Sequence, residues 1–343
     1  MIGRLLPDSW YTLGSSIVDT FYYPGVGLLL LLGLTTLYKV ALPKSLPWHR
    51  PLVYVSGVFE ILSGLGLILP QAFLAPGGEV RRILAAEKPD LVVISGDFTQ
   101  RARTEQFEEA CAFLERLRDA GHEVLGVPGN HDVPLYDVLR RFLSPLTRYK
   151  RYIDDTLCPI HELPGVTVLG INTARSLTFK DGRVSHEQIQ FIRETFERTD
   201  PNSLRVLVTH HPLFALPVGE TGDVERAAGR SELALDAAAD AGVDMLLAGH
   251  HHTASTHSAR DLVTRAGPAL VVQAGTATSH RLRDEQQSFN RIDIQGDSVT
   301  LTLQTWSGEK FESGTEQRYE LVDDHVRHIV AEQVGQQEQP VGD

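Results

Sequence analysis

The chain has 343 residues, of which 42% are hydrophobic and 22% charged, a composition typical of a globular protein with a sizeable core. Its formal net charge of −12 argues against a protein that holds nucleic acid through its general surface, because phosphate binding depends on clustered lysine and arginine. The 2 cysteines cannot make a disulfide framework, and the helical spacing of Cys111 with Phe107 and Leu114 predicts a core position for it.

Two apolar runs dominate the first 75 residues. Residues 24–42 contain one charged side chain, Lys39, and residues 52–75 contain one, Glu60. About 20 apolar residues cross a bilayer, so we expect residues 1–76 to hold a hairpin of two membrane helices, with a buried soluble pair as the alternative. The segment from Pro47 to Pro70 loosely resembles a membrane helix of the DoxX-like family. A cleaved signal peptide fits poorly, because the first run begins only at residue 24.

From Gly78 onward, helical patterns alternate with short apolar strands, as in an α/β sheet covered on both faces. Ser185 is a predicted cap for the helix that follows it. Residues 331–343 are rich in Gln, Glu and Gly and are predicted to be disordered. The predicted helices cover 79–87, 104–120, 185–198 and 232–241, with a partly helical segment at 135–152. The predicted strands cover 91–95, 123–127, 166–172, 204–209, 245–248, 269–273, 289–294 and 299–305.

Four of these strands end in side chains that bind metals. They are Asp97, Asn130 with His131, His210, and His250 with His252. In the run Gly249-His250-His251-His252, alternation places His250 and His252 on one side and His251 on the other. A solvated His-rich turn is the alternative for that run alone. Carboxylate, amide and imidazole ligands together suit Mn, Fe or Zn better than Ca or Mg.

These motifs resemble those of the calcineurin-like metallophosphoesterase family in order and in strand-end position. The motifs are Gly96-Asp97, Gly129-Asn130-His131-Asp132, His210-His211-Pro212 and Gly249-His250-His251-His252. The resemblance implies a four-layer α/β/β/α sandwich over residues 77–330 and a site with two metals. The runs that begin at Gly275 and Ser288 are similar to a bacterial branch that includes class III cyclic-nucleotide phosphodiesterases.

The resemblance also implies a role for each residue. Asp97 would bridge two metals, Asn130, His210 and His250 would complete one of them, and His252 would bind the other. His131 would act as general acid, oriented by Asp132. Family members begin with a strand that ends in Asp-x-His, and no Asp-x-His occurs in this chain before Gly96. One metal site is therefore expected to be complete, whereas the other has only Asp97 and His252.

The function expected from these residues is metal-dependent phosphoester hydrolysis by a metal-activated hydroxide, with a cyclic nucleotide or similar small phosphodiester as substrate. A lipid-linked phosphoester or pyrophosphate is the alternative substrate if residues 24–75 span a membrane. A membrane-anchored binding or regulatory protein with a degenerate one-metal site is the alternative from another class. We expect membrane association with a cytoplasmic catalytic domain, or else a cytoplasmic protein, and the sequence leaves the oligomeric state open.

Overall fold

The computed structural model describes residues 76–178, 181–218, 223–252, 254–262, 269–278, 286–296, 298–322 and 325–329. The chain divides into two units, Met1–Leu74 and Ala75–Asp343, and the description below concerns the second. The expected membrane hairpin, its DoxX-like segment and the tail at 331–343 lie outside the described residues. Within the described ranges, no helix is both long and apolar enough to cross a membrane.

Helices and strands are interspersed up to residue 262, and the described residues beyond it form only strands and their connections. The helices are α1 (Pro76–Glu87), α2 (Thr104–Asp119), α3 (Val138–Leu143), α4 (Thr147–Tyr152), α5 (His186–Glu197), α6 (Ser231–Asp240) and α7 (Ala259–Leu262). The strands up to residue 252 are β1 (Val92–Ile94), β2 (Val124–Gly126), β3 (Ile160–Leu163), β4 (Val166–Ile171), β5 (Leu204–Thr209), β6 (Leu216–Val218), β7 (Asp223–Glu225) and β8 (Met245–His252). The later strands are β9 (Ser255–Ser258), β10 (Leu270–Gly275), β11 (Ser288–Gln295), β12 (Ser298–Trp306), β13 (Phe311–Val322) and β14 (His325–Ile329).

A six-stranded sheet with the order β3-β4-β5-β8-β10-β9 forms one layer. Its central strands β4, β5, β8 and β10 run parallel, and β3 and β9 pair antiparallel at its edges. Side chains alternate between the two faces: Val206 and Val208 face a second sheet layer, whereas Leu207 packs with residues of α5 and α6. Because both faces are covered, the central strands are nearly continuous apolar runs.

The second sheet layer consists of the parallel pair β1-β2 and the antiparallel sheet β11-β12-β13-β14. Leu125 and Val127 from the pair, and Val299 and Leu301 from the antiparallel sheet, share one core with the inward face of the six-stranded sheet. The outer face of β1-β2 packs against α2 and α4. The layers therefore follow the order α/β/β/α, which confirms the expected architecture.

Most predicted elements of the second unit appear within one or two residues of their expected bounds. Ser185 caps α5 as predicted, because its hydroxyl accepts the backbone N–H of Gln188 at 3.2 Å. The segment expected to be partly helical is two short helices separated by Ser144, Pro145 and Leu146. Cys111 is only half-buried, and its Sγ lies 3.7 Å from Glu115 on the outer side of α2, so its predicted core position is wrong.

The strands that the sequence did not predict are short or polar. Strand β3 reads Ile-His-Glu-Leu with no buried residue, and β13 reads Phe-Glu-Ser-Gly-Thr-Glu-Gln-Arg-Tyr-Glu-Leu-Val. Strand β3 lies at the edge of its sheet and needs few apolar residues, because its pairing supplies backbone hydrogen bonds and little core contact, whereas β13 lies between β12 and β14 and is polar along most of its length. Short or polar strands of this kind lack the apolar pattern by which a strand is distinguished from a loop in a sequence.

Candidate metal centre

Three of the predicted ligands have left-handed backbones at the ends of their strands. The φ angles are +55° at Asp97, +77° at His250 and +61° at His252. Non-glycine residues seldom adopt this conformation, and it persists where surrounding structure imposes it, often at functional sites. Only six non-glycine residues in the described ranges have positive φ, so these ligands account for half of them. The backbone conformation at the strand ends therefore sets the direction of these three side chains.

Two glycines allow the strand ends to approach one another closely. Gly96 has a φ of +105°, and a Cβ there would lie 2.5 Å from His210 Nδ1. A Cβ on Gly129 would collide with the carboxylate and backbone nitrogen of Asp97. Because glycine has no Cβ, Asp97 and His210 occupy the space that a side chain would need.

Asp97, Asn130, His210 and His250 converge at this junction, as predicted. His210 Nε2 lies 3.0 Å from Asn130 Oδ1 and 3.4 Å from Asp97 Oδ1. His250 Nδ1 lies 3.1 Å from Asn130 Oδ1 and 3.3 Å from His210 Nε2. Ligand atoms at about 2.1 Å from a shared metal are about 3.0 to 3.4 Å apart, so the spacing fits one metal ion.

The protonation pattern also fits a cation. His210 Nδ1 lies 2.7 Å from the carbonyl oxygen of Ser95, and a carbonyl only accepts, so this nitrogen carries a ring proton. In the neutral form of the ring, Nε2 has a lone pair that faces the Asn130 and Asp97 oxygens, which are acceptors as well. Three acceptors with no proton among them are stabilised by a metal ion. A backbone carbonyl behind a histidine ligand is the usual arrangement that orients such a ring.

The electrostatic surroundings keep Asp97 ionised. Burial favours the neutral acid, but His210, His131 and His250, together with the backbone hydrogen bond from His131, outweigh burial and lower the pKa of Asp97 below its ordinary value. The His131 N–H donates to Asp97 Oδ1 at 3.0 Å. The carboxylate is therefore available in the form that binds a metal.

The His131 ring is held differently from the expectation. Its Nδ1 lies 2.8 Å from the carbonyl oxygen of Gln100. Asp132, expected to orient that ring, instead accepts the backbone N–H groups of Phe98, Thr99 and Gly129 and the hydroxyl of Thr99. Asp132 is buried, and burial together with the charge of Asp97 raises its pKa to about 7, although these donors favour its ionised form. Its contacts make Asp132 the organiser of the loop backbone, and the Gln100 carbonyl is the partner that sequence analysis missed.

The second predicted metal position is represented by His252 at the end of β8. Its Nδ1 forms a short hydrogen bond with Thr276 Oγ1. Thr276 belongs to the run beginning at Gly275 that sequence analysis associated with the cyclic-nucleotide branch. Ser288, from the other run, donates its backbone N–H to the Thr276 carbonyl at 2.8 Å. Both runs therefore lie beside His252.

Two neighbouring histidines, His211 and His251, are both buried. Simple alternation predicts that each faces away from the metal. The His211 ring, however, lies 4.5 Å from the His250 ring, and ligand atoms of His210, His211 and His250 lie within 4.8 Å of one another. His211 Nδ1 also lies 2.8 Å from Thr173 Oγ1. The His211 ring therefore lies beside the predicted ligands His210 and His250, while its Nδ1 faces Thr173.

Comparison with known proteins gives one family match. The sequence profile of the calcineurin-like phosphoesterase family matches residues 47–254. The match begins ahead of the described residues, in a stretch without Asp-x-His. Comparison with curated proteins finds no match.

Comparison with solved structures gives matches of low sequence identity. A purple acid phosphatase from yellow lupin seeds is 15% identical with a TM-score of 0.51, over 69% of this chain and 48% of that protein, so the chain spans about half its length. Vps29 from Chaetomium thermophilum is 16% identical with a TM-score of 0.37, over 74% of this chain and 92% of that one. Zinc-bound wild-type Vps29 from Entamoeba histolytica is 14% identical with a TM-score of 0.34, over 70% and 86%.

The family match covers more than half of the chain and includes every predicted ligand. The lupin phosphatase adds evidence for the fold alone. With the α/β/β/α layers and the convergent strand ends, the match shows that this chain belongs to the calcineurin-like phosphoesterase family.

Proposed function

We propose that the protein is a metal-dependent phosphoester hydrolase whose substrates are small phosphodiesters such as cyclic nucleotides. The observation that carries this proposal is the group of acceptor atoms from Asp97, Asn130, His210 and His250, in which each atom lies 3.0–3.4 Å from at least one other. The family's chemistry depends on divalent metals, and this donor set suits Mn, Fe or Zn.

The four residues would hold one metal at the junction of the two sheet layers. When bound, such a metal lowers the pKa of a water molecule and neutralises phosphoryl oxygens. Asp97 contributes the negative charge, and Asn130 a neutral oxygen. His210 and His250 contribute neutral nitrogens, one of them fixed by the Ser95 carbonyl. The chain thereby offers a mixed set of oxygen and nitrogen ligands. Such a set suits a transition metal better than Ca²⁺, which takes oxygen ligands.

His131 would supply the proton for the leaving oxygen. With Nδ1 protonated toward the Gln100 carbonyl, Nε2 is the atom that carries the transferable proton of the imidazolium. The His131 backbone is tied to Asp97 at 3.0 Å, so the loop that carries this ring moves with a metal ligand. General acid catalysis of this kind contributes about 10²–10⁴-fold to a rate.

The choice of a cyclic nucleotide is the finer part of this proposal. It is supported by the runs at Gly275 and Ser288, which lie beside His252 and resemble the cyclic-nucleotide branch. The discriminating measurement is a substrate panel of cyclic nucleotides, linear dinucleotides and phosphomonoesters, with each metal in turn. A preference for phosphomonoesters would contradict the proposed substrate class but not the proposed hydrolase activity.

The missing Asp-x-His favours a second candidate, a binding or regulatory protein with one metal. The deciding experiment combines metal analysis of the full chain with hydrolysis of bis(4-nitrophenyl) phosphate. Turnover that requires metal and disappears in Asp97→Asn supports the hydrolase. The exposed Asp90→Asn serves as the matched control, since it removes the same charge away from the site. Metal binding without turnover would support the regulatory protein.

A further inference from the structure

An exposed apolar surface follows the loop Gly129-Asn130-His131-Asp132 in the chain. Helix α3 and its lead-in present six large apolar side chains to solvent within nine residues: Leu135, Tyr136, Val138, Leu139, Phe142 and Leu143. Leu139 and Leu143 are 72% and 75% exposed. Leu177, at 81%, belongs to the same surface, because buried Arg141 of α3 donates to the carbonyl oxygens of Ser176 and Thr178 on either side of it. These seven side chains are called the apolar face below.

Helix α3 buries a charged side chain and exposes apolar ones, the reverse of an ordinary surface helix. The Arg141 guanidinium points inward, fully buried, and donates to three carbonyl oxygens including that of Pro134 at 2.8 Å. The positions that face solvent, Val138 with Phe142 and Leu139 with Leu143, are paired at i, i+4 and are all apolar. Single exposed leucines are ordinary, but a contiguous group of this kind marks an interaction site.

Basic side chains border the apolar face. Arg101 lies over the Tyr136 ring at 5.8 Å, and Arg140 projects from α3 itself to the carbonyl of Ala102. Leu143 and Lys150 line one open cleft of about 410 Å³. Besides the buried Arg141, residues 134–153 contain four basic side chains and one acidic one, in a chain whose net charge is −12. The local charge is therefore opposite to that of the whole molecule.

We propose that this surface docks on an anionic lipid bilayer. An apolar face with an aromatic ring and a basic rim is the arrangement by which interfacial helices enter the headgroup region. Anionic headgroups complement the rim, and apolar side chains enter the acyl boundary. A second copy of the chain is the less favoured occupant, because the basic rims of two copies would face each other. The proposal concerns binding and does not depend on the proposed hydrolase activity.

The test uses the full chain and hydrogen exchange on vesicles of phosphatidylcholine with about one-third phosphatidylserine. Exchange resolves the location of binding, which matters because the apolar runs at 24–42 and 52–75 could hold the chain on a vesicle by themselves. We expect amides of residues 135–143 to gain protection on these vesicles and not on pure phosphatidylcholine. Absence of protection, or equal protection on both, would overturn the proposal.

Substitutions supply the matched controls. The double variant Leu139→Glu with Phe142→Glu should lose the protection, and Lys150→Glu should weaken binding through this face roughly fivefold or more. Leu233→Glu alters an exposed leucine on α6 and should keep the protection. Circular dichroism checks that each variant folds. If the double variant instead abolishes a dimer present without lipid, and vesicles protect nothing, the occupant is a second copy and the proposal is wrong.

Discussion

Replacing Asp132 by asparagine tests whether this residue organises the loop that carries His131 through its carboxylate. Four donors converge on the two oxygens: the N–H groups of Phe98, Thr99 and Gly129 at 3.3, 2.9 and 2.9 Å, and the Thr99 hydroxyl at 3.0 Å. Asparagine retains one oxygen, and its amide group faces the remaining donors. About two buried donors then lose their acceptor, at about 1–3 kcal/mol each.

The expected loss of stability is therefore about 2–6 kcal/mol, a large part of the ~5–15 kcal/mol typical of a folded domain. Urea unfolding of the metal-free protein, followed by near-ultraviolet circular dichroism, measures this loss. Asp90→Asn is the control and should change stability by less than about 0.5 kcal/mol, because Asp90 is exposed. A loss as small as that of the control would refute the reasoning. It would favour the expectation from the sequence that Asp132 orients the His131 ring.

Other substitutions separate ligands from their neighbours. His131→Ala should keep the metal content measured by mass spectrometry and lower turnover by about 10²–10⁴-fold, so loss of metal would show that His131 is a ligand. His251→Ala should weaken metal binding far less than His250→Ala in calorimetric titration; equal losses would mean that the assigned register of this turn is mistaken. Arg141→Met should lower the unfolding temperature, because three carbonyl oxygens lose their charged donor. Full metal loading should give one tightly bound ion per chain, and two tight ions would identify ligands outside the four named residues.

The central strands and the clustering of Asp97, Asn130, His210 and His250 were predictable because each rests on a strong local pattern. Strands such as β5 are continuous apolar runs, and the ends of neighbouring parallel strands meet at one edge. Asp97 and Asn130 follow one such pair of strands, and His210 and His250 follow another, so the sequence predicts each pair. The meeting of the two pairs depends on the packing of the two sheet layers.

The supporting contacts were not predictable, because they depend on backbone geometry rather than side-chain type. The Ser95 and Gln100 carbonyls that hold two of the rings are groups that every residue possesses. The closeness of the His211 and His250 rings depends on how the ends of β5 and β8 lie side by side, which alternation along a single strand does not describe. The apolar face of α3 was missed for a related reason: its pattern is that of a core helix, and only the packing shows which side of it is buried.

The position of the metal centre links it to assembly of the domain. Asp97 and Asn130 come from the ends of β1 and β2 in one layer, whereas His210 and His250 come from the six-stranded sheet in the other. Neither layer alone carries all four predicted ligands. Each half of the domain, expressed separately, would offer only two of them and would bind a metal weakly. Metal uptake during refolding would therefore report when the two layers pack against each other. An ion bound between the layers would stabilise their packing.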